Sequence, residues 1–211
     1  MKNIYRTIAG VIGLIGVAVQ YWLVAEGKSG EALVGTTVHF FGYFTILTNI
    51  LVAAAMLLPV AAPNSGLGRF LERPTVRAAL VGYIVIVGTV YYLLLRNLEN
   101  ATGLHLYFEY VLHYVTPPLF VLDWLLFVPK GGVGWRNGVD SLTYPTAYLV
   151  WTLAHGAVSD WYPYPFIDVA KLGYERVLLN SAGLVLAFLV VELVLAGTDR
   201  LIKRAQVKSA P

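Results

Sequence analysis

The segment "HFFGYFTILTNILV", residues 39–52, decides the fold class. It is apolar enough to lie in a bilayer, yet it carries His39, Thr45, Thr48 and Asn49. The rest of the chain has the same bias. Of 211 residues, 58% are hydrophobic and 13% charged, and the mean hydropathy is +0.68. A soluble domain carries about 25% charged residues, so this chain cannot cover a water-facing surface. The composition predicts an integral membrane protein of one domain, residues 1–211. With no cysteine, disulfides, thiolate metal sites and a Cys nucleophile are excluded. The net charge is only +3 and no dense basic tract interleaves with aromatics, so nucleic acid is not an expected partner. The expected partners are the membrane and a lipid within it.

Six apolar segments approach the ~20 residues that a bilayer-spanning helix needs. They run at Ile4–Ala25, Thr37–Val60, Val76–Leu98, Leu106–Val128, Tyr144–Val158 and Val177–Thr198. None alternates with a period of two, so the fold class is all-α, a polytopic protein with six transmembrane helices. Eleven of the fifteen Lys and Arg fall before the first segment, between the second and third, between the fourth and fifth, after the sixth, or, as Arg6 and Arg77 do, in the first turn of the first or third. Positive residues mark the cytoplasmic side, which predicts cytoplasmic N and C termini in a bacterial inner membrane. That orientation puts His39, His105, His113 and His155 in the outer half. Thr45 and His113 then lie at one depth, with Asn180 and the aromatic loop at 159–168 in the same layer.

Thr45, Thr48 and Asn49 share one helix face, and Gly42 on that face allows close approach of a helix or ligand. Thr in a membrane helix commonly bonds the carbonyl four residues back, and Asn commonly joins helices. "LHLYFEYVLHYVTPPLF", residues 104–120, aligns His105, Glu109 and His113 along another face. Pro117 denies the His113 carbonyl its helical partner, which predicts a kink there. Ionisable groups at membrane depth are functional candidates. One reading is nucleophilic: a Thr45 hydroxyl activated by His113. Thr48, Asn49, Glu109, His39, His155 and Asn180 would then serve as oxyanion donors or supporting groups, and Gly42, Tyr114, Pro117, Trp161 and Tyr164 would line the substrate. A second reading is a lipid-binding or sensing protein without turnover. A third is a metal or haem at the outer histidines, although no H-E-x-x-H pattern is present. No metal or other cofactor is expected for the first. "PKGGVGWRNG", residues 129–138, lacks the G-K-[ST] ending of a phosphate loop and reads as a cytoplasmic turn.

Together, "YFTILTN" (43–49), "HYVTPPLFVLDW" (113–124) and "GAVSDWYPYPFID" (156–168) resemble the androgen-induced protein family, which includes the androgen-dependent TFPI-regulating proteins. The resemblance runs through nearly the whole chain. It implies a six-helix membrane hydrolase of the kind that cleaves fatty acid esters of hydroxy fatty acids. It also implies a catalytic Thr at Thr45 and a catalytic His at His113, and it matches a W-x-YPF element to Trp161–Phe166. Thr48 and Asn49 depart from the pattern of the animal members. The resemblance therefore carries the fold and the Thr and His roles further than the substrate.

Overall fold

Gly42 and Tyr43 interrupt the helix expected over 37–60. In the computed structural model, which describes residues 1–98 and 101–208, one helix ends at Gly42 and the next starts at Phe44. Between them the Tyr43 backbone is extended (φ −81°, ψ 129°). Glycine is the weakest helix former short of proline, and the aromatic pair after it loses rotamer freedom in a helix. The elements of the first part of the chain are α1 (Lys2–Ala25), α2 (Gly30–Gly42), α3 (Phe44–Ala61), α4 (Gly66–Glu72), α5 (Pro74–Val90), α6 (Gly103–Tyr110) and α7 (Thr116–Phe127). A π turn, Tyr91–Leu95, extends α5, and another, Val111–Val115, joins α6 to α7. Then come α8 (Trp135–Ser141), α9 (Thr143–Ser159), a 3₁₀ turn at Pro165–Ile167 and α10 (Val169–Lys208).

Among the described residues there is no strand, and five helical stretches are long and apolar enough to cross a membrane. They are Lys2–Ala25, Phe44–Ala61, Pro74–Leu95, Gly103–Phe127 and Val169–Lys208. The segment expected over 144–158 is a helix, but α9 has 17 residues. At ~1.5 Å per residue it is shorter than a ~30 Å hydrocarbon core. The segment expected over 177–198 is the middle of a longer helix, α10, whose one non-helical residue is Gly173 (φ 73°). The short helices α4 and α8 were not expected. Ser65 starts α4 by accepting the Gly68 amide at 2.9 Å. Asn137 folds back to accept the Gly134 amide at the start of α8 at 2.7 Å.

The chain divides into two compact units, Met1–Gly132 and Val133–Pro211. In the first, α1 runs against α2, α3, α6 and α7. Its buried face is Arg6, Ala9, Gly10, Gly13, Gly16, Val17 and Gln20, spaced three or four apart. Small residues bring membrane helices close where lipid supplies no hydrophobic drive between them. Gly16 shows how close: a Cβ there would stand 2.9 Å from Leu112 and 3.1 Å from Val111. The other face of α1 turns Ile4, Ile8, Leu14 and Ile15 outward, as a lipid-facing helix does.

The polar end of this unit is a buried ion cluster. Asp123 is 0% exposed and accepts from Arg6 Nε at 2.7 Å and Arg6 Nη2 at 3.2 Å, and it also pairs with Arg77. Glu72 joins Arg6 at 2.5 Å, Lys2 at 2.5 Å and Arg77 at 3.3 Å. Arg77 also donates to the carbonyl of Ala55. Pro59, four residues on in α3, has no N–H to offer that carbonyl, so a side chain from α5 takes its place.

In the second unit, α10 contacts α8, α9 and the 3₁₀ turn. Asp199 accepts the Val133 amide at 3.1 Å. Asp168 accepts the Lys171 amide at 3.2 Å in the first turn of α10 and pairs with the Lys171 ammonium at 2.9 Å. The hydrogen bond from the Lys171 side chain is the main reason the Asp168 carboxyl sits below its ordinary pKa.

Candidate active site

His113 lies in the π turn that joins α6 to α7. Thr116 there donates its amide to the Val111 carbonyl five residues back, and its hydroxyl bonds the same oxygen at 3.1 Å. Pro117 and Pro118 offer no N–H to the carbonyls of His113 and Tyr114. Where a kink was expected, the structure has a π turn, Val111–Val115, that includes His113. Gly88 of α5 sits against the His113 carbonyl, since a Cβ at 88 would be 2.9 Å from that oxygen and 3.5 Å from Pro117. π turns inside α-helices are frequent at functional sites. Among the described residues there are two, and one residue of each meets the other: the Tyr91 ring stacks on the His113 ring with centroids 3.8 Å apart and planes 15° apart.

The His113 ring is nine-tenths or more buried, with one edge fixed. Its Nδ1 lies 2.8 Å from the Glu109 carbonyl oxygen and 3.3 Å from the Glu109 carboxylate. Both are acceptors, so Nδ1 carries the proton and Nε2 is the basic nitrogen. Glu109 is held in turn by Gln20 of α1, whose amide donates to the Glu109 carboxylate at 2.7 Å and to the His105 carbonyl at 3.3 Å. His113, Glu109 and Gln20 thus form one hydrogen-bonded chain, which His105 joins only through its backbone carbonyl. Among the described residues no group of three His, Asp or Glu is placed to hold a metal ion.

Thr45 is buried in the first turn of α3, because the break at Tyr43 starts a new helix there. The N-terminal end of a helix carries about half a positive charge. Asn49 donates from its side chain to the Thr45 carbonyl at 2.9 Å, so its amide is engaged within the helix. Thr48 is 0% exposed. Ile46, next to Thr45, and Leu112, next to His113, belong to one buried cluster with Val17 and Phe40. The helices bearing Thr45 and His113 are therefore tied through α1 and α2. Gly42 and His39 close α2 and are half-buried. His39 thus lies near the end of α2 and does not open the second expected span. Tyr114 is exposed, its ring 5.5 Å from Tyr91.

No protein-family model, curated protein or solved structure matches this chain.

The remaining candidates belong to the second unit. The His155 ring stacks on Trp151 at 5.9 Å and meets Trp161 edge-on at 6.0 Å, and Ser159 lies 3.2 Å from its Nδ1. Tyr164 stacks on Phe166 at 5.2 Å, and Asn180 donates to the Phe166 carbonyl at 2.8 Å. These residues order the aromatic loop. Burial, reinforced by Tyr174 and Asp168, raises the Tyr162 hydroxyl above its ordinary pKa. Gln20 and Tyr91, the closest supports of His113 and its Glu109, were absent from the sequence-based candidates. Gln20 does stand out in the sequence as the lone amide within the apolar run at 4–25.

Proposed function

We propose that this chain is an intramembrane lipid esterase with Thr45 as nucleophile and His113 as general base. The supporting observation is the contact of His113 Nδ1 with two acceptors of Glu109, from which the Nδ1–H tautomer is inferred. Glu109 takes the Nδ1 proton edge at 2.8 and 3.3 Å, which leaves Nε2 as the base in an apolar span. In the reaction, the Thr45 hydroxyl attacks the ester carbonyl and His113 Nε2 accepts its proton. The tetrahedral oxyanion develops at the positive end of α3. The intermediate collapses, and the leaving alcohol takes the proton from His113. Water then attacks the acyl-threonine, His113 accepts its proton, and the fatty acid leaves as Thr45 regains its hydrogen.

In this reading the substrate is a fatty acid ester whose chain lies between helices in the outer half of the bilayer. Branched esters of hydroxy fatty acids are the first candidates, as the resemblance to the androgen-induced protein family implies. Six spans with both termini cytoplasmic would agree with the distribution of Lys and Arg. The test is labelling of the purified protein by a fluorophosphonate probe. Labelling should be lost in Thr45→Ala and sharply reduced in His113→Ala. Full labelling of Thr45→Ala, or intact co-purified lipid with no turnover over an ester panel, refutes the esterase and leaves a lipid-binding protein.

A further inference from the structure

A cavity of about 490 Å³ opens beside the ion cluster of the first unit, at the end where α1 begins and α3 finishes. Its walls carry Lys2, Arg6, Arg69 and Arg73, with Glu72 as the one carboxylate, and Pro59 and Pro63 supply an apolar side. Glu72 is already shared by Lys2, Arg6 and Arg77, and Asp123 holds Arg6 and Arg77 from behind. Five cations thus face two carboxylates, an excess of three.

Arg69 and Arg73 carry most of that excess. Arg69 donates to the Asn64 carbonyl, and the Arg73 guanidinium lies 5.6 Å above the Phe70 ring. Among the described residues neither forms an ion pair. Arg6 is 1% exposed and fixed by three bonds to carboxylates, so it forms a rigid wall and leaves Arg69 and Arg73 as the cations open to a ligand. Guanidinium forks match the oxygens of a phosphate. Basic pockets between helices at the membrane surface are the setting in which anionic headgroups bind.

We propose that this cavity binds the phosphate group of an anionic phospholipid headgroup. The inference rests on α1 and α3 spanning the bilayer and is independent of the esterase reading. Their ends place the guanidiniums at headgroup depth, and the proline wall faces the glycerol and first methylenes. The volume also exceeds what a lone phosphate fills.

The test uses the full chain in a neutral maltoside detergent. Dioleoyl-phosphatidylglycerol is titrated in mixed micelles, with dioleoyl-phosphatidylcholine as control and intrinsic tryptophan fluorescence as readout. Wild type should bind phosphatidylglycerol well ahead of phosphatidylcholine. Arg69→Gln/Arg73→Gln, which disturbs no ion pair, should bind phosphatidylglycerol about 30-fold more weakly. Arg136→Gln, in the other unit, should bind as wild type does. Equal binding of the two lipids by wild type overturns the proposal, whatever the folding of the double variant. So does wild-type affinity in the folded double variant. Inorganic phosphate at millimolar concentration that displaces phosphatidylglycerol completely overturns the lipid source and points to a soluble phosphate compound.

Discussion

Replacing Asp123 by asparagine tests the buried ion cluster directly. Asp123 is 0% exposed and holds two guanidiniums that are 1% and 0% exposed. The substitution keeps the shape and one acceptor but removes the charge. Arg6 and Arg77 then share a single carboxylate, Glu72, which is 35% exposed and also bound to Lys2. Removing one partner of a buried pair costs about 3–5 kcal/mol, because the remaining charge stays desolvated. At ~2–4 °C per kcal/mol for a chain of this size, the unfolding midpoint should fall by about 6–20 °C. The assay is thermal unfolding in detergent followed by tryptophan fluorescence, with far-UV circular dichroism to confirm the helical content. Replacing all three groups, Arg6→Met/Arg77→Met/Asp123→Leu, should recover much of the loss, short of the unserved Ala55 carbonyl. A fall of less than ~3 °C for Asp123→Asn would refute the reasoning, since Glu72 alone would then suffice for both guanidiniums.

Three further outcomes are expected. On the proposed esterase reading, Glu109→Gln should lower the kcat of ester hydrolysis about 10–100-fold, the scale found for partners that orient a metal-bound His, with KM little changed. The loss is not larger because the Glu109 carbonyl still holds Nδ1 at 2.8 Å. Gly88→Val should destabilise by about 1–3 kcal/mol as an overpacked contact, since its Cβ would press on the His113 carbonyl, and thermal unfolding reads it. Glu72 predicts a pH effect. Burial raises its pKa, but the hydrogen bond from Lys2 and the charges of Arg77 and Arg6 outweigh burial, so the net shift is downward. A lowered carboxyl stabilises the fold above its unfolded pKa, near 4.5, and that stabilisation is lost as pH falls through the folded value. The midpoint difference between wild type and Glu72→Gln should therefore shrink on acidification below that pH; a constant difference would contradict the pairing.

The helices were legible because apolar runs of bilayer length leave few alternatives. Their interruptions were less so. Gly42 stands out in the sequence as a place of close approach, and the chain also uses it with Tyr43 to end one helix and start another. Thr45 thereby moves from mid-helix to a first turn. The pairing of Glu109 with His113 follows from i, i+4 spacing and was visible as a stripe. Gln20 and Tyr91 reach the site from segments 89 and 22 residues away, and no local periodicity encodes such contacts. Arg77 was counted as a marker of orientation, yet it is wholly buried. The same charge that biases topology is spent here on a buried acid, and its partner Asp123 lies 46 residues on.

Pro117 and Pro59 create the same problem and meet different neighbours. Pro117 strips the His113 carbonyl of its helical donor, and α5 presents Gly88 to it. Pro59 strips the Ala55 carbonyl, and α5 presents Arg77 to it. The second case makes a sharp prediction. If Arg77 substitutes for the missing amide, its worth depends on Pro59. Arg77→Lys keeps one charge for Asp123 but cannot reach both Asp123 and Ala55 as the guanidinium does. With Pro59 present, the variant loses the ion-pair geometry and also leaves a buried carbonyl without a donor. With Pro59→Ala, the amide of residue 59 serves Ala55, so only the ion-pair loss remains. The two changes should therefore couple by about 1 kcal/mol, the usual worth of one net hydrogen bond, in a double-mutant cycle on unfolding in detergent. Pro59→Ala alone should not destabilise the fold, because it removes a helix-interior proline. Strict additivity of the two substitutions would show that the Arg77 contact with Ala55 is incidental to the ion cluster.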